Sequence, residues 1–569
     1  MKYLFSLIFI SFIIIYFLTY CASITPPGGG PRDTIPPVLV KSYPENKSLN
    51  FNDNYIRLTY DEYLKIDNLS KQLIITPIIQ EDYEQKIRKN SIELSFPEPF
   101  KDSTTYTFNF GEAIQDITEG NITLDNVLAF STGDYIDSLY INGKVIDLFS
   151  NKPVENYTVC LYVYNDTLDI FNSQPLYLTR TNEDGQYLIE NIKNGIYRLY
   201  SYNDANSNFI CDMPKEMFGF KADTVNLNNN VDSVFLKVQY LDMRDIEIQR
   251  MGNAGKYFEI KTNKNIIDYM VEPIDPTKII YHNFGEDKKT IRFYNNIHTS
   301  DSIQFVFSAT DSLENSLIDT LYLKFIESKR DLEAFSVTLR PKNNSKITDE
   351  FMGEFEFSKP IIDIHFDSIY FEYDSVTFQH LGDSVQYFLN NKKDLLTFNI
   401  QLFYSDYLKR LNKSDSIPAS IDVENAIDIK RSGGAKTRSS KLKFHVGKGA
   451  FISADNDSSK AVDVEYEPLR PESYGIIKGN VYSEFEFFTI QLLKGQREVI
   501  KEISNKKQYE FKNVDPGNYS IRVIIDNNAN GKWDPGNIFE NIEPEYIYFF
   551  PEEITIRANW ELTDINLTF

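Results

Sequence analysis

The sequence is poor in the residues that make enzyme chemistry easy to read. Only three cysteines, five histidines and two tryptophans occur in 569 residues. Three cysteines cannot build a disulfide framework. The histidines, His282, His298, His365, His380 and His445, are scattered and form no i, i+4 metal-ligand pair. There is no Gly-x-Ser-x-Gly elbow, no His-Glu-x-x-His and no phosphate-cradling Gly-x-x-x-x-Gly-Lys, so the motif-bearing hydrolases, zinc peptidases and nucleotide-binding loops are not indicated. Positive charge is also scarce: 59 Lys+Arg against 82 Asp+Glu leave a formal net charge of -23, which repels nucleic-acid backbones and anionic lipid. Carboxylates are abundant enough that counting alone never excludes a glycosidase pair, and equally never singles one out. The expectation is a chain that is not an enzyme and has no nucleic-acid partner.

Aromatic residues are plentiful instead. They make up 14% of the chain, 42 Phe and 37 Tyr, in short alternating runs separated by Asn, Asp, Gly and Pro, which is β composition. In "YIRLTYDEYL" Ile56, Leu58 and Tyr60 share one face, as do Ile92, Leu94 and Phe96 in "SIELSF" and Tyr106, Phe108 and Phe110 in "TYTFNF". Such runs recur about every ten residues, the pattern of antiparallel sandwiches. Single cores rarely grow past roughly 250 residues, so four or five domains are expected. The fold class is therefore all-β, a multidomain string of antiparallel β-sandwiches. The aromatic stripes are first explained as sandwich core and only secondarily as sugar-stacking platforms.

The first residues, "MKYLFSLIFISFIIIYFLTY", carry one positive charge at Lys2 and then a long apolar run, the pattern of an export signal over 1–21. "LTYC" resembles the lipobox of bacterial lipoproteins, which implies acylation of Cys21. Tyr20 stands where that motif has a small residue, so an uncleaved membrane anchor is the alternative. Both readings tether the chain outside the cytoplasm. Ala22, where some lipoproteins carry the aspartate of inner-membrane retention, leans towards the outer membrane. Residues 22–37 are a Pro/Gly spacer. Cys160 and Cys211 either pair once or stay as buried thiols.

"IPPVLVKSYPENKSLNF", "IRLTYDEYL", "TYTFNFGEAIQDITEGN" and "VLAFSTGD" occur in that order from Ile35 to Asp134, and through them residues 38–134 resemble a bacterial Ig-like domain of the S-layer-protein type. A fainter second copy, 335–447, is similar through "GEFEFSKPI", "NAIDI" and "SKLKFHV". A separate repeat joins 138–237 to 471–569. "INGKVID" opens one and "IKGNVYS" the other, and Tyr187, Gly195, Tyr197 and Asp204 align with Tyr509, Gly517, Tyr519 and Asp526 at one constant offset. The stretch from Thr181 to Asp204 resembles the transthyretin-like sandwich of carboxypeptidase regulatory domains and collagen-adhesin B-type repeats, with a hairpin turn expected at Asp184-Gly185. Residues 238–330 are an unassigned β-sandwich.

"DNNANGKWDPG" places Asp526, Asn528, Asn530 and Asp534 at alternate positions of a calcium-loop spacing, with Glu540 as a late carboxylate. The preceding "YSIRVII" alternates as a strand, which excludes an EF-hand and makes the loop a strand-to-strand connection. The earlier copy keeps Asp204, Asn206, Asn208, Asp212 and Glu216, and has Phe209 in place of the glycine. With so few carboxylates any calcium binds weakly; the competing reading is an Asx-rich turn that binds no ion. The basic stretch 430–443 reads as a solvated loop. The functional expectation is an exported, membrane-tethered structural or interaction lipoprotein that presents β-sandwiches at the cell envelope to an envelope protein or polysaccharide. A glycan-binding surface lipoprotein is the alternative.

Overall fold

The computed structural model describes residues 33–569 apart from 80–81, 166–167, 214, 300, 374–376, 383–384, 407–440 and 496. The apolar leader, Cys21, most of the spacer, "NAIDI" and nearly all of the basic stretch lie outside these residues. The chain divides into two compact units. The first runs to Val238 without Leu148–Asn151 and Met213–Lys215, and the second holds those two stretches and Gln239–Phe569. Among the described residues no helix is long and apolar enough to cross a membrane.

In the first unit, alternation builds an antiparallel sandwich. One sheet has the order Leu39–Tyr43, Tyr55–Tyr60, Ser91–Ser95, Glu84–Arg88, and the other sets Thr105–Asn109 between Ile74–Thr76 and Val127–Ser131. Ile56, Leu58, Tyr60, Ile92, Leu94, Phe96, Tyr106, Phe108 and Phe110 are all buried in a single core, as their spacing requires. Phe100 packs edge-on against Phe108 and Phe130, so rings fill the space between the sheets.

The second sandwich of this unit closes with a parallel pair. Leu139–Asp147 lies between Gln186–Ile192, antiparallel, and Val231–Val238, parallel. Gly143 is required there: a Cβ on it would stand 1.8 Å from the Val234 carbonyl oxygen. The facing sheet pairs Thr158–Val163 with Tyr177–Arg180 and with Gly195–Tyr202. This corrects the expected hairpin at Asp184-Gly185. Tyr177–Arg180 and Gln186–Ile192 belong to different sheets, so the turn is an arch between layers. Asn182 fixes it by accepting the backbone N–H of Asp184 and Gln186 on Oδ1, with Gly185 at φ +72°.

The second unit holds three sandwiches. Residues 238–330 form two sheets, one containing Tyr257–Thr262 and Thr290–Phe293, the other Asp268–Pro273, Ile303–Thr310 and Ser316–Leu323, around one shared core. Lys264 is buried at its edge. Its ammonium reaches Asp311 at 2.5 Å and donates to the carbonyls of Asp242 (2.7 Å) and Arg244 (2.6 Å). In the next sandwich, Glu350–Phe357 pairs with Val337–Arg340 and Leu395–Gln401. Its second sheet continues past 447, because Val462–Pro468 pairs with Leu442–Val446. Tyr257 of the middle sandwich donates its hydroxyl to Asp455 (2.9 Å), whose carboxylate also holds the buried Lys359 ammonium (2.8 Å). The last sandwich repeats the second. Gly475–Tyr482 pairs antiparallel with Gln508–Val514 and parallel with Glu561–Leu562 and Leu567–Thr568. Gly479 stands where Gly143 does, 1.8 Å from Ile565 O once given a Cβ.

The repeat is therefore one of structure. Tyr187 donates to Val234 O and Tyr509 to Ile565 O, each tying a closing strand to its neighbour. Tyr197 donates to Lys193 O and Tyr519 to Asp515 O, each bracing the turn before its own strand.

Candidate functional site

Both Asp-rich loops follow the strand that carries these tyrosines. One links Gly195–Tyr202 to Phe218–Phe220, the other Gly517–Ile525 to Ile547–Phe549. They are strand-to-strand connections, and their internal bonding is nearly identical. Asp526 accepts the N–H of Asn530 and Gly531, and Asp204 those of Asn208 and Phe209. The amides of Asn528 and Asn530 both donate to Asp534 Oδ2, and those of Asn206 and Asn208 to Asp212 Oδ2. Gly531 sits at φ +89°, and Phe209 adopts the same left-handed region at +59°.

Glu540 does not take part. It lies on a neighbouring turn, where its backbone N–H meets Asn537 Oδ1. The carboxylate that closes the loop is Glu545, which sequence spacing did not single out. Glu545 is buried and accepts the N–H of Asn527 (2.6 Å) and Asp534 (2.9 Å), while its carbonyl receives Trp533 Nε1 (3.0 Å). Glu216 is its counterpart, buried and accepting the N–H of Ala205 and Asp212, both at 3.0 Å. Burial raises Glu216 above its ordinary value despite those two bonds, with Asp204 and Asp212 adding to the rise. Burial likewise raises Asp204, against the pull of the N–H groups it accepts.

The Asp, Asn and Glu side chains of these loops offer oxygen, the donor type calcium takes. The arrangement is nevertheless self-satisfied: amide and backbone N–H groups occupy the carboxylates, and among the described residues no three His, Cys, Asp or Glu side chains converge to hold a metal. An ion would have to displace the asparagine amides from Asp534 or Asp212.

The remaining candidates are packed. Cys160 and Cys211 are free, buried thiols, and burial raises both. His282 is held at about 4 by burial, with Lys392 adding to the effect, and its Nδ1 meets the Tyr269 hydroxyl at 3.1 Å. His445 sits beside Asp463 on an outward strand face with its ring tilted against Tyr370, while His365 stands near Asp363 at the surface. Within the first unit a cavity of about 430 Å³ opens between its two sandwiches, with Phe96, Phe100, Tyr106 and Tyr162 in its wall. Those four rings are buried in the packing.

No curated protein matches the chain. Among solved structures, the Bacillus anthracis TIE protein is similar at 10% identity over 95% of this chain and 75% of that one, with a TM-score of 0.12. BcpA, the major pilin subunit of Bacillus cereus, is similar at 9% over 76% and 99%, with a TM-score of 0.12. The surface layer protein SbsC, domains 1–6, is similar at 10% over 92% and 68%, with a TM-score of 0.14. Scores this low carry no argument about arrangement or function. The family match is confined to one domain: residues 33–132 fit the model of the bacterial Ig-like domain.

Proposed function

We propose that this chain is an exported structural or interaction protein of a bacterial envelope, tethered by lipid on Cys21 at the outer membrane and without enzymatic activity. The observation that supports the reading best is serial architecture. Among the described residues five β-sandwiches follow one another in sequence, the first matching the bacterial Ig-like domain. The most elaborately built polar features are loops at sandwich ends, the usual place for contacts made by a rigid scaffold. The partner is an envelope protein or polysaccharide. Contacts made from a tethered chain can be individually weak, because tethering raises their effective concentration. The glycan-binding alternative rests on aromatic composition alone.

Calcium is proposed only as a weak stiffener of the two loops, held by Asp526, Asn528, Asn530 and Asp534 with Glu545 behind them, and by Asp204, Asn206, Asn208, Asp212 and Glu216. Titration calorimetry of the full chain tests it; no heat and an unchanged melting temperature at millimolar calcium remove the ion. The tether is tested by metabolic palmitate labelling of wild type and Cys21→Ala. Label on the wild type alone is expected, and label surviving the substitution overturns lipidation. Crosslinking in native envelopes followed by pull-down reads the partner, and recovery of neither protein nor polymer overturns the interaction reading.

A further inference from the structure

We propose that the N-terminal end of the first sandwich is a lipid-contacting surface that seats on a neutral bilayer face, an inference that rests on the membrane tether proposed above. Six apolar side chains project from this end: Ile35, Val38, Tyr63, Ile117, Ile122 and Leu124. Ile35, Ile117 and Leu124 are 67%, 63% and 85% exposed, unusual for residues of this size on one small surface. Backbone bonds bring them together. Val38 N–H donates to Asp61 Oδ1 and Asp61 N–H returns to Val38 O. Ile117 N–H donates to Tyr63 O, and Thr123 donates its hydroxyl to Pro37 O.

Carboxylates of the same end accept backbone N–H groups; Asp116 is buried, while Asp33, Asp61 and Asp125 stay exposed. Asp116 accepts the N–H of Thr118, Glu119, Gly120 and Asn121, while Asp33 takes that of Ile35 and Asp125 that of Leu39. Exposed apolar side chains therefore share this end with carboxylates whose oxygens are engaged by backbone N–H groups.

Position in the chain selects the occupant. This is the end at which the chain enters the domain, and only residues 21–32 separate Asp33 from the apolar run ending at Tyr20. At ~3.1 Å per residue that segment reaches no more than roughly 40 Å, so a tethered domain brings this end, before any other, to the bilayer. Apolar loop tips of this kind bury ~5–10 Å into the headgroup boundary. The exposed carboxylates around the patch, Asp33, Asp61 and Asp125, select neutral lipid, since an anionic surface repels them.

The test uses the full chain in phosphatidylcholine vesicles, with a nitroxide placed through Leu124→Cys and, as a control, through exposed Asp102→Cys beyond the opposite end of Thr105–Asn109. Cys160 and Cys211 are buried and escape labelling. Flotation reads the tether; relaxation by oxygen and by a water-soluble nickel chelate reads the contact. The expected result is that the chain floats, and that the label at 124 loses nickel contact and gains oxygen contact while the label at 102 does not. Ile35→Asp with Ile117→Asp, both at exposed positions, restores nickel contact without loss of flotation, and exchange of neutral for anionic lipid does the same. A floating chain whose label at 124 relaxes like that at 102 overturns the docking surface and leaves the tether standing. A chain that does not float overturns both. Nickel protection without vesicles assigns the face to residues before Asp33, or, at doubled mass, to a second copy, and overturns the lipid reading.

Discussion

Replacing Glu545 by alanine opens the loop from Asp526 to Tyr546, whereas the same change at Glu540 leaves it closed. The buried carboxylate holds two backbone N–H groups, that of Asn527 at the start of the loop at 2.6 Å and that of Asp534 midway along it at 2.9 Å. Hydrogen bonds to a charged group contribute about 1.5–3 kcal/mol each. The expected loss is about 3 kcal/mol or more, which accelerates local opening on the order of 100-fold. Amide hydrogen exchange at Asn527 and Asp534 reads that opening directly. Trp533, whose indole N–H is fixed on the Glu545 carbonyl at 3.0 Å, supplies a fluorescence readout. Glu540 contributes only its backbone N–H to a neighbouring turn, and Glu540→Ala is expected to leave both signals at wild-type values. Equal effects of the two substitutions, or exchange at Asn527 unchanged in Glu545→Ala, refute the assignment of Glu545 as the clamp.

Three further outcomes follow from features elsewhere. Asp311→Ala strands the buried Lys264 ammonium and is expected to cost about 3–5 kcal/mol. Lys264→Met costs less, roughly 1–3 kcal/mol, because Asp311 keeps the N–H groups of Leu313 and Asn315 and the Asn315 amide. Exchange protection across Ile303–Thr310 measures the asymmetry, and equal costs count against it. Gly143→Ala drives a methyl group into the Val234 carbonyl and is expected to cost more than about 3 kcal/mol, read as early melting of residues 138–237 in limited proteolysis with rising temperature. Asp116 is buried, which opposes ionisation, yet the N–H groups of Glu119, Asn121, Gly120 and Thr118 hold it down to about 2, below its ordinary 3.8. A depressed carboxylate stabilises the fold above its unfolded pKa, so this contribution is complete above about pH 4 and is lost as pH falls towards 2. Exchange at Thr118 to Asn121 in Asp116→Asn should lose that dependence; retention of it assigns the titration to another group.

Much of the architecture was legible because burial in a sandwich follows a period of two. Ile56, Leu58 and Tyr60 alternate in sequence and lie in the core together, as do Ile92, Leu94 and Phe96. Local spacing does not encode which sheet a strand joins, which is why Asp184-Gly185 read as a hairpin and is an arch. The loop shows a second limit. The constant offset between the copies holds from Tyr187 and Tyr509 to Asp212 and Asp534 and then fails, because the later loop carries an extra turn around Asn537 to Ile542. That insertion moved the closing carboxylate from the Glu216 position to Glu545 and left Glu540 as a decoy. The exposed apolar end of the first sandwich was invisible for a different reason: Ile117, Ile122 and Leu124 look like core residues until the turn held by Asp116 points them outward.

The parallel pairing of Leu139–Asp147 with Val231–Val238 gives that sandwich a mechanical property. Tension along the chain pulls Leu139 and Val238 in opposite directions, and these are the free ends of two parallel neighbours. Their ladder, running from Ile141 to Asp147, is then sheared as a whole and cannot unzip one rung at a time. Its geometry is that of a shear-loaded pair, and single-molecule stretching should find the domain yielding at higher load from its termini than when pulled across the antiparallel Gln186–Ile192 pair.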